Sequence, residues 1–291
     1  GAIFWMWISA VVGMTTKFFT SSLAIMYRGK DSEGELQGGP MYFITEGLGK
    51  KWKPLAIFFS ACAMIGALPV FNVNQLTQAV NDILLKPNGV EVTNYTNLVI
   101  GVFLVIITSI VVLGGLKRIG KVTSRLVPSM VLLYFILVVV ILIVHIDVVP
   151  KYFLMIFTDA FSADFIKEES VLGGVVGALI ILGIKRGAFS NEAGVGTAPM
   201  AHGAAKTDEP IREGLVAMLG PFIDTIIVCT LTALAILVTG VWQTSDTNGV
   251  SLTATAFGNA MPGVGKYLLM ICVAIFSISS LFSYSYYGTK S

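Results

Sequence analysis

Charge is what this sequence has least of. Its 19 Lys and Arg and 17 Asp and Glu make up 12% of 291 residues, about half of the roughly 25% usual in a soluble globular domain. That deficit excludes most soluble enzymes. The net charge of +2 is small and dispersed, and no stretch interleaves many cations with aromatics, so no nucleic-acid partner is expected. Cysteine is scarce too. Cys62, Cys229 and Cys272 each lie inside an apolar run with no second Cys or His at ligand spacing, which leaves neither a disulfide framework nor a zinc site. His145 and His202 also lack metal-ligand neighbours and read as interfacial or packing residues. The sequence has no initiator Met, basic leader or small-residue cleavage site before its first apolar run. It is therefore expected to be a segment of a longer polypeptide, with no signal peptide among these residues.

What fills the sequence instead is apolar residues, 55% of the total, in runs long enough to cross the ~30 Å hydrocarbon core of a bilayer. Seven spans are expected, over about 1–27, 54–85, 96–116, 126–149, 171–205, 211–240 and 264–287. A membrane β-barrel needs alternating segments of ~10 residues, so these continuous runs predict helices, and the fold class is all-α and polytopic.

Basic residues set the orientation. Arg28, Lys30, Lys50, Lys51, Lys53, Lys117, Arg118, Lys121, Arg125, Lys206, Arg212 and Lys290 fall on one side of these spans, and only Lys86, Lys151, Lys167 and Lys266 on the other. The first side is expected in the cytoplasm, which puts the first residue outside. The stretch from Asp31 to Lys53 fits either an amphipathic interfacial helix anchored by Trp52 or a plain connecting loop.

The run from Val171 to Ala205 is too long for one straight span and is interrupted by KRGAFSNEAGVGTAP. Gly187, Gly194, Gly196 and Pro199, with Ser190, Asn191 and Glu192 among them, disfavour an unbroken helix. Two readings stay open. One is a helix broken at membrane depth, where freed backbone groups bind ions or zwitterions. The other is a span ending near Gly183, followed by a cytoplasmic Gly-rich loop. A dinucleotide loop at Gly194 and Gly196 fails on context, because no strand precedes it and Pro199 stands at the third glycine position. Gly173xxxGly177 and Gly183xxxGly187 read as close-packing helix faces.

Asn74, Thr77, Gln78 and Asn81 recur at helical spacing in the second span, beside Gln75 and Asp82, and this stripe is expected to face the bundle interior. Asp224 lies mid-span in GPFIDTIIVC. It is either a functional carboxylate or one that bonds hydroxyls to hold neighbouring helices. Lys17 is expected to snorkel toward the cytoplasmic interface. Ser277, Ser279, Ser280 and Ser283 in the last span either bond their own helix or offer hydroxyls to a cavity.

GAIFWMWISAVVGMTTKF, LQGGPMYFITEGLGKKWKP, NQLTQAVNDIL, VVLGGLKRIGKVTSRLVP, the long run from KRGAFSNEAGVGTAP to GPFIDT, and SYYG together resemble the alanine/glycine:cation symporter family of bacteria and archaea. The likeness covers essentially the whole sequence. It implies the inverted-repeat, leucine-transporter-like fold of sodium symporters, here incomplete: core helices two to eight within one transport domain over 1–291, with the first broken helix and its Gly-Thr-Gly-Asn turn expected before Gly1. It implies substrate contacts at Phe189, Ser190, Asn191, Gln75, Gln78, Ser280 and Tyr284, and cation contacts at Ser279 and Ser280. Where the family commonly carries Thr and Trp in its eighth helix, Ser280 and Tyr284 stand here; Thr20 stands where it tends to carry a glutamate. The implied activity is import of alanine or glycine with Na⁺ across a bacterial or archaeal plasma membrane, with no enzymatic reaction and no cofactor beyond the co-transported ion. A proton-coupled or broader amino-acid carrier is the alternative.

Overall fold

The computed structural model describes residues 1–31, 34–161 and 174–291. In chain order its main elements are α1 (Ala2–Met26), a hairpin of β1 (Gly29–Lys30) and β2 (Leu36–Gln37), α2 (Lys53–Gly66), α3 (Val70–Val80) and α4 (Asn94–Val112). They continue with α5 (Gly115–Val144), α6 (Val149–Phe161), α7 (Gly174–Asn191), α8 (Thr197–Gly203) and α9 (Pro210–Pro221). A π-helical stretch, Phe222–Cys229, leads to α10 (Thr230–Val238), α11 (Gly249–Ala260) and α12 (Gly265–Lys290).

Among the described residues, 6 helical stretches are long and apolar enough to cross a membrane: Ala2–Met26, Lys50–Asn88, Asn94–Val112, Arg118–Val144, Pro210–Val238 and Gly265–Lys290. They match six of the seven expected spans. The remaining one, fifth in order, begins at Val171, outside the described residues; its described part is α7, a break over 192–196, and α8.

Three local features differ from expectation, and a fourth decides between two readings. The hairpin adds a two-stranded antiparallel sheet, Gly29 opposite Gln37, to an otherwise helical chain. Short turns follow it over Pro40–Tyr42, Phe43–Gly47 and Lys50–Trp52, so the 31–53 stretch is loop-like and not one amphipathic helix. The basic stretch after Gly115 is already helical, because the chain turns at Gly114 and Gly115, the latter at φ 74°, and nothing breaks it again before Pro128. Both α6 and α11 are helices where connecting segments were expected.

The described chain divides into two compact units. The first contains 1–66, 151–230 and 290–291, and the second 67–150 and 231–289. In the first, α1 is the central element, packed by α7 and α9. Glycine makes that approach possible. A Cβ at Gly183 would sit 2.6 Å from the Ala2 carbonyl and 2.7 Å from the Trp5 Cβ, and one at Gly214 would sit 2.9 Å from the Phe18 carbonyl. Of the expected close-packing pairs, Gly183 and Gly187 face α1, Gly177 faces open space, and Gly173 lies outside the described residues. Near the start of α1, Phe4 meets Phe157 and Phe161 of α6 edge-on, at 6.0 and 4.9 Å between ring centres. Each such pair contributes about 0.5–1.5 kcal/mol beyond its buried area.

In the second unit, Leu76, Leu104 and Leu281 bring α3, α4 and α12 to one core cluster. Tyr134 of α5 hydrogen-bonds Thr232 at 2.6 Å and stacks on Phe257 of α11.

Candidate functional site

The break after α7 is built by three left-handed residues and a set of side chains that take over where the backbone ladder stops. Glu192 (φ 56°), Gly194 (φ 85°) and Gly196 (φ 95°) turn the chain out of the helix. The last α-type bond is Glu192 N–H to the Ala188 carbonyl at 2.9 Å. The next donor, Ala193 N–H, is taken by the Asn191 Oδ1 at 2.9 Å. Across the gap, Thr197 Oγ1, on the first residue of α8, donates to Glu192 Oε2 at 2.6 Å. Ser190 and Asn191 are thus the last two helical residues before the interruption, and side-chain acceptors hold both of its ends.

The anchors come from α1 and the π-helical stretch. Ser190 Oγ donates to Asp224 Oδ2 and lies 3.3 Å from Cys229 Sγ. Thr225, fully buried, donates its hydroxyl to the same carboxylate oxygen at 3.1 Å and accepts from Asn191 Nδ2 at 3.0 Å. Gly13 of α1 lies against the break: a Cβ there would meet the Ala193 Cβ at 3.0 Å. Of the two readings of Asp224, the structure shows hydroxyl bonding between neighbouring helices. Lys17 does not simply snorkel outward. A Cβ at Gly220, one turn before Asp224, would lie 3.3 Å from its Nζ. A cavity of about 310 Å³ between α1 and α7 reaches Asn191 and Ala193 and is walled by Trp5, Val12, Ile180 and Ile184. Phe189, on the other face of α7, is 52% exposed.

The remaining expected site residues belong to the second unit. Gln75 Oε1 accepts from the Val250 N–H at 3.3 Å, and Gln78 Nε2 donates to Ser251 Oγ at 3.1 Å, so both amides reach the start of α11. Ser251 in turn donates to Asp82 at 2.5 Å, and Asp82 pairs with Lys86 at 2.6 Å. Asn81 donates to Asn97 of α4 at 2.9 Å, whereas Asn74 of the same stripe is exposed. A cavity of about 530 Å³ has Asp82, Lys86, Ser251, Thr255, Asn259 and Lys266 among its lining residues, with Ile83, Ala254 and Pro262. On α12, Ser279 is buried and donates to its own helix at the Phe276 carbonyl, 2.9 Å away; Ser280 and Tyr284 are half-buried. The structure therefore brings Ser190 and Asn191 together with Asp224 and Thr225, and Gln75 and Gln78 together with α11. These two groups fall in separate compact units.

The sequence pattern of the sodium:alanine symporter family matches residues 1–291. The chain belongs to the sodium:alanine symporter family. The sodium/alanine symporter AgcS of Methanococcus maripaludis is 42% identical over 299 residues, covering 100% of this chain and 62% of AgcS. The amino-acid carrier protein AlsT of Bacillus subtilis is 35% identical, covering 99% of this chain and 58% of its own length. The probable sodium/glutamine symporter GlnT, also of Bacillus subtilis, is 33% identical with coverages of 99% and 57%. The chain spans about three-fifths of the curated relatives it matches, 62%, 62% and 60% for three of them. The family is one of transporters, not enzymes, and sodium in these relatives' names is a co-transported ion, not an enzymatic cofactor. With 6 helices of membrane-crossing length and composition, a family member is a multi-pass membrane protein.

Proposed function

We propose that the intact protein is a sodium-coupled symporter that imports a small neutral amino acid, alanine or glycine, by alternating access within an inverted-repeat fold. The observation that carries this reading is the helix interruption at 192–196, with its side-chain anchors, in a chain of this family. Interrupted helices free backbone groups for a zwitterion and an ion at places where lipid-facing backbone could not be tolerated. In this proposal Phe189 and the backbone beyond it face the substrate, and Ser190 and Asn191 hold the break in shape. The family resemblance further implies substrate contacts at Gln75, Gln78, Ser280 and Tyr284, and oxygen ligands to Na⁺ at Ser279 and Ser280. Orientation follows the basic residues, with Gly1 outside and the membrane that of a bacterial or archaeal cell.

The test is uptake of labelled alanine by the intact protein in sealed vesicles under imposed gradients. An inward Na⁺ gradient is expected to drive accumulation, and K⁺ in its place to abolish it. Accumulation driven by a pH gradient without Na⁺ favours the proton-coupled alternative, and uptake that only equilibrates under every gradient contradicts symport. A glutamine preference is the second reading of specificity, motivated by the GlnT relative; competition of alanine uptake by glycine and by glutamine separates the two.

A further inference from the structure

The proposed substrate site leaves two half-buried charges without a role, and their geometry gives them one. Asp224 makes no bond to the break itself, yet its Oδ2 accepts from both Ser190 and Thr225, and Thr225 accepts from Asn191. One carboxylate oxygen therefore fixes the last two residues of α7, and through Asn191 it also fixes the Ala193 N–H, the first donor beyond the helix. The carboxylate stands on a π-helical stretch, whose register differs from that of an α-helix. That register puts Asp224 and Thr225, adjacent in sequence, on the two consecutive residues Ser190 and Asn191. Lys17, from the neighbouring α1, brings its ammonium group to the turn just before Asp224: a Cβ at Gly220, four residues earlier, would lie 3.3 Å from its Nζ.

We propose that Asp224 is the positioning residue of the helix interruption, setting the orientation of Ser190 and Asn191, and that Lys17 is its counter-charge. This rests on the reading of the break as a substrate site. The acceptor and the charge are separable. Asp224→Asn keeps an oxygen for Ser190 but removes the charge; Asp224→Ala removes both; Lys17→Met leaves a half-buried carboxylate without its counter-charge.

The test uses the intact protein and two readouts. Hydrogen exchange of peptides spanning 187–200, measured without substrate, reports the order of the break. The KM and maximal rate of Na⁺-driven alanine uptake report its consequence. Asp224→Ala is expected to speed exchange at the break and raise KM by about 10- to 100-fold, on the scale of lost hydrogen bonds to a charged group. Lys17→Met is expected to raise KM as well, and the double variant Lys17→Met/Asp224→Asn to return it to within about threefold of wild type, since neither charge then lacks its partner. A merely structural ion pair would alter folded yield and melting with no exchange change confined to the break. Unchanged exchange and KM in Asp224→Ala overturn the proposal. If Asp224→Ala does not fold, the double variant decides: KM no closer to wild type than in Lys17→Met overturns the proposal, and recovery supports it. If wild type carries no alanine, the functional reading fails, while exchange at the break still reads out the positioning role.

Discussion

Ser279 and Ser280 lie side by side on α12, and the use of their hydroxyls decides whether this helix holds an ion. Ser279 satisfies itself on the Phe276 carbonyl one turn back, as buried helical serines often do. A hard cation takes oxygen ligands, and a hydroxyl that donates its proton to a carbonyl keeps its oxygen lone pairs free to ligate one. Ser280→Ala removes one oxygen without adding bulk, so apparent Na⁺ affinity should fall about 5- to 30-fold with little change in maximal uptake. Sodium titrations of alanine uptake for wild type, Ser279→Ala and Ser280→Ala measure this; three superimposable curves remove both residues from the ion site. The sequence already pointed to these serines and to Ser190 and Asn191, because polar side chains in apolar runs stand out. It did not pair Ser190 with Asp224. Those residues are 34 apart in sequence, and their meeting depends on a π-helical register that no local pattern announces. Nor did it show Thr225 as the link to Asn191, since a threonine beside an aspartate has no signature of its own.

Among the elements, the approach of α1 to α7 rests on glycine at one position and not at another. Gly183→Ala would push a methyl into the Ala2 carbonyl and the Trp5 side chain, an overpacking that costs about 1–3 kcal/mol. Gly177→Ala meets nothing within 4 Å and should be neutral or gain up to about 1 kcal/mol from helix propensity. Thermal melting of the two variants in detergent should therefore shift in opposite directions or separate clearly; equal shifts contradict the packing. The long spans were legible because the bilayer demands continuous apolar runs, and the break was legible because Gly194, Gly196 and Pro199 crowd into a run too long for one span. By contrast, α6 and α11 are 13 and 12 residues long, too short to register as spans. The helical start of α5 was hidden because Lys117, Arg118, Lys121 and Arg125 made it look like a loop; charge marks solvent contact, and a helix can extend into solvent.

In the whole molecule, the proposed transport cycle requires one face of the protein in the cytoplasm and the other outside. The basic residues argue for a cytoplasmic face that carries Ser124 and an outer face that carries Asn88, both exposed. A cysteine at Asn88 should react with a membrane-impermeant thiol reagent in intact cells, and one at Ser124 only after permeabilisation; the reverse pattern inverts the topology. The central claim is that substrate seats at the interruption between α7 and α8 and does so together with Na⁺. Hydrogen exchange over residues 187–203 of the intact protein tests this most directly, in Na⁺ alone, in K⁺ with alanine, and in Na⁺ with alanine. The account predicts that exchange at 192–196 slows only when Na⁺ and alanine are both present; identical exchange in all three conditions would contradict it.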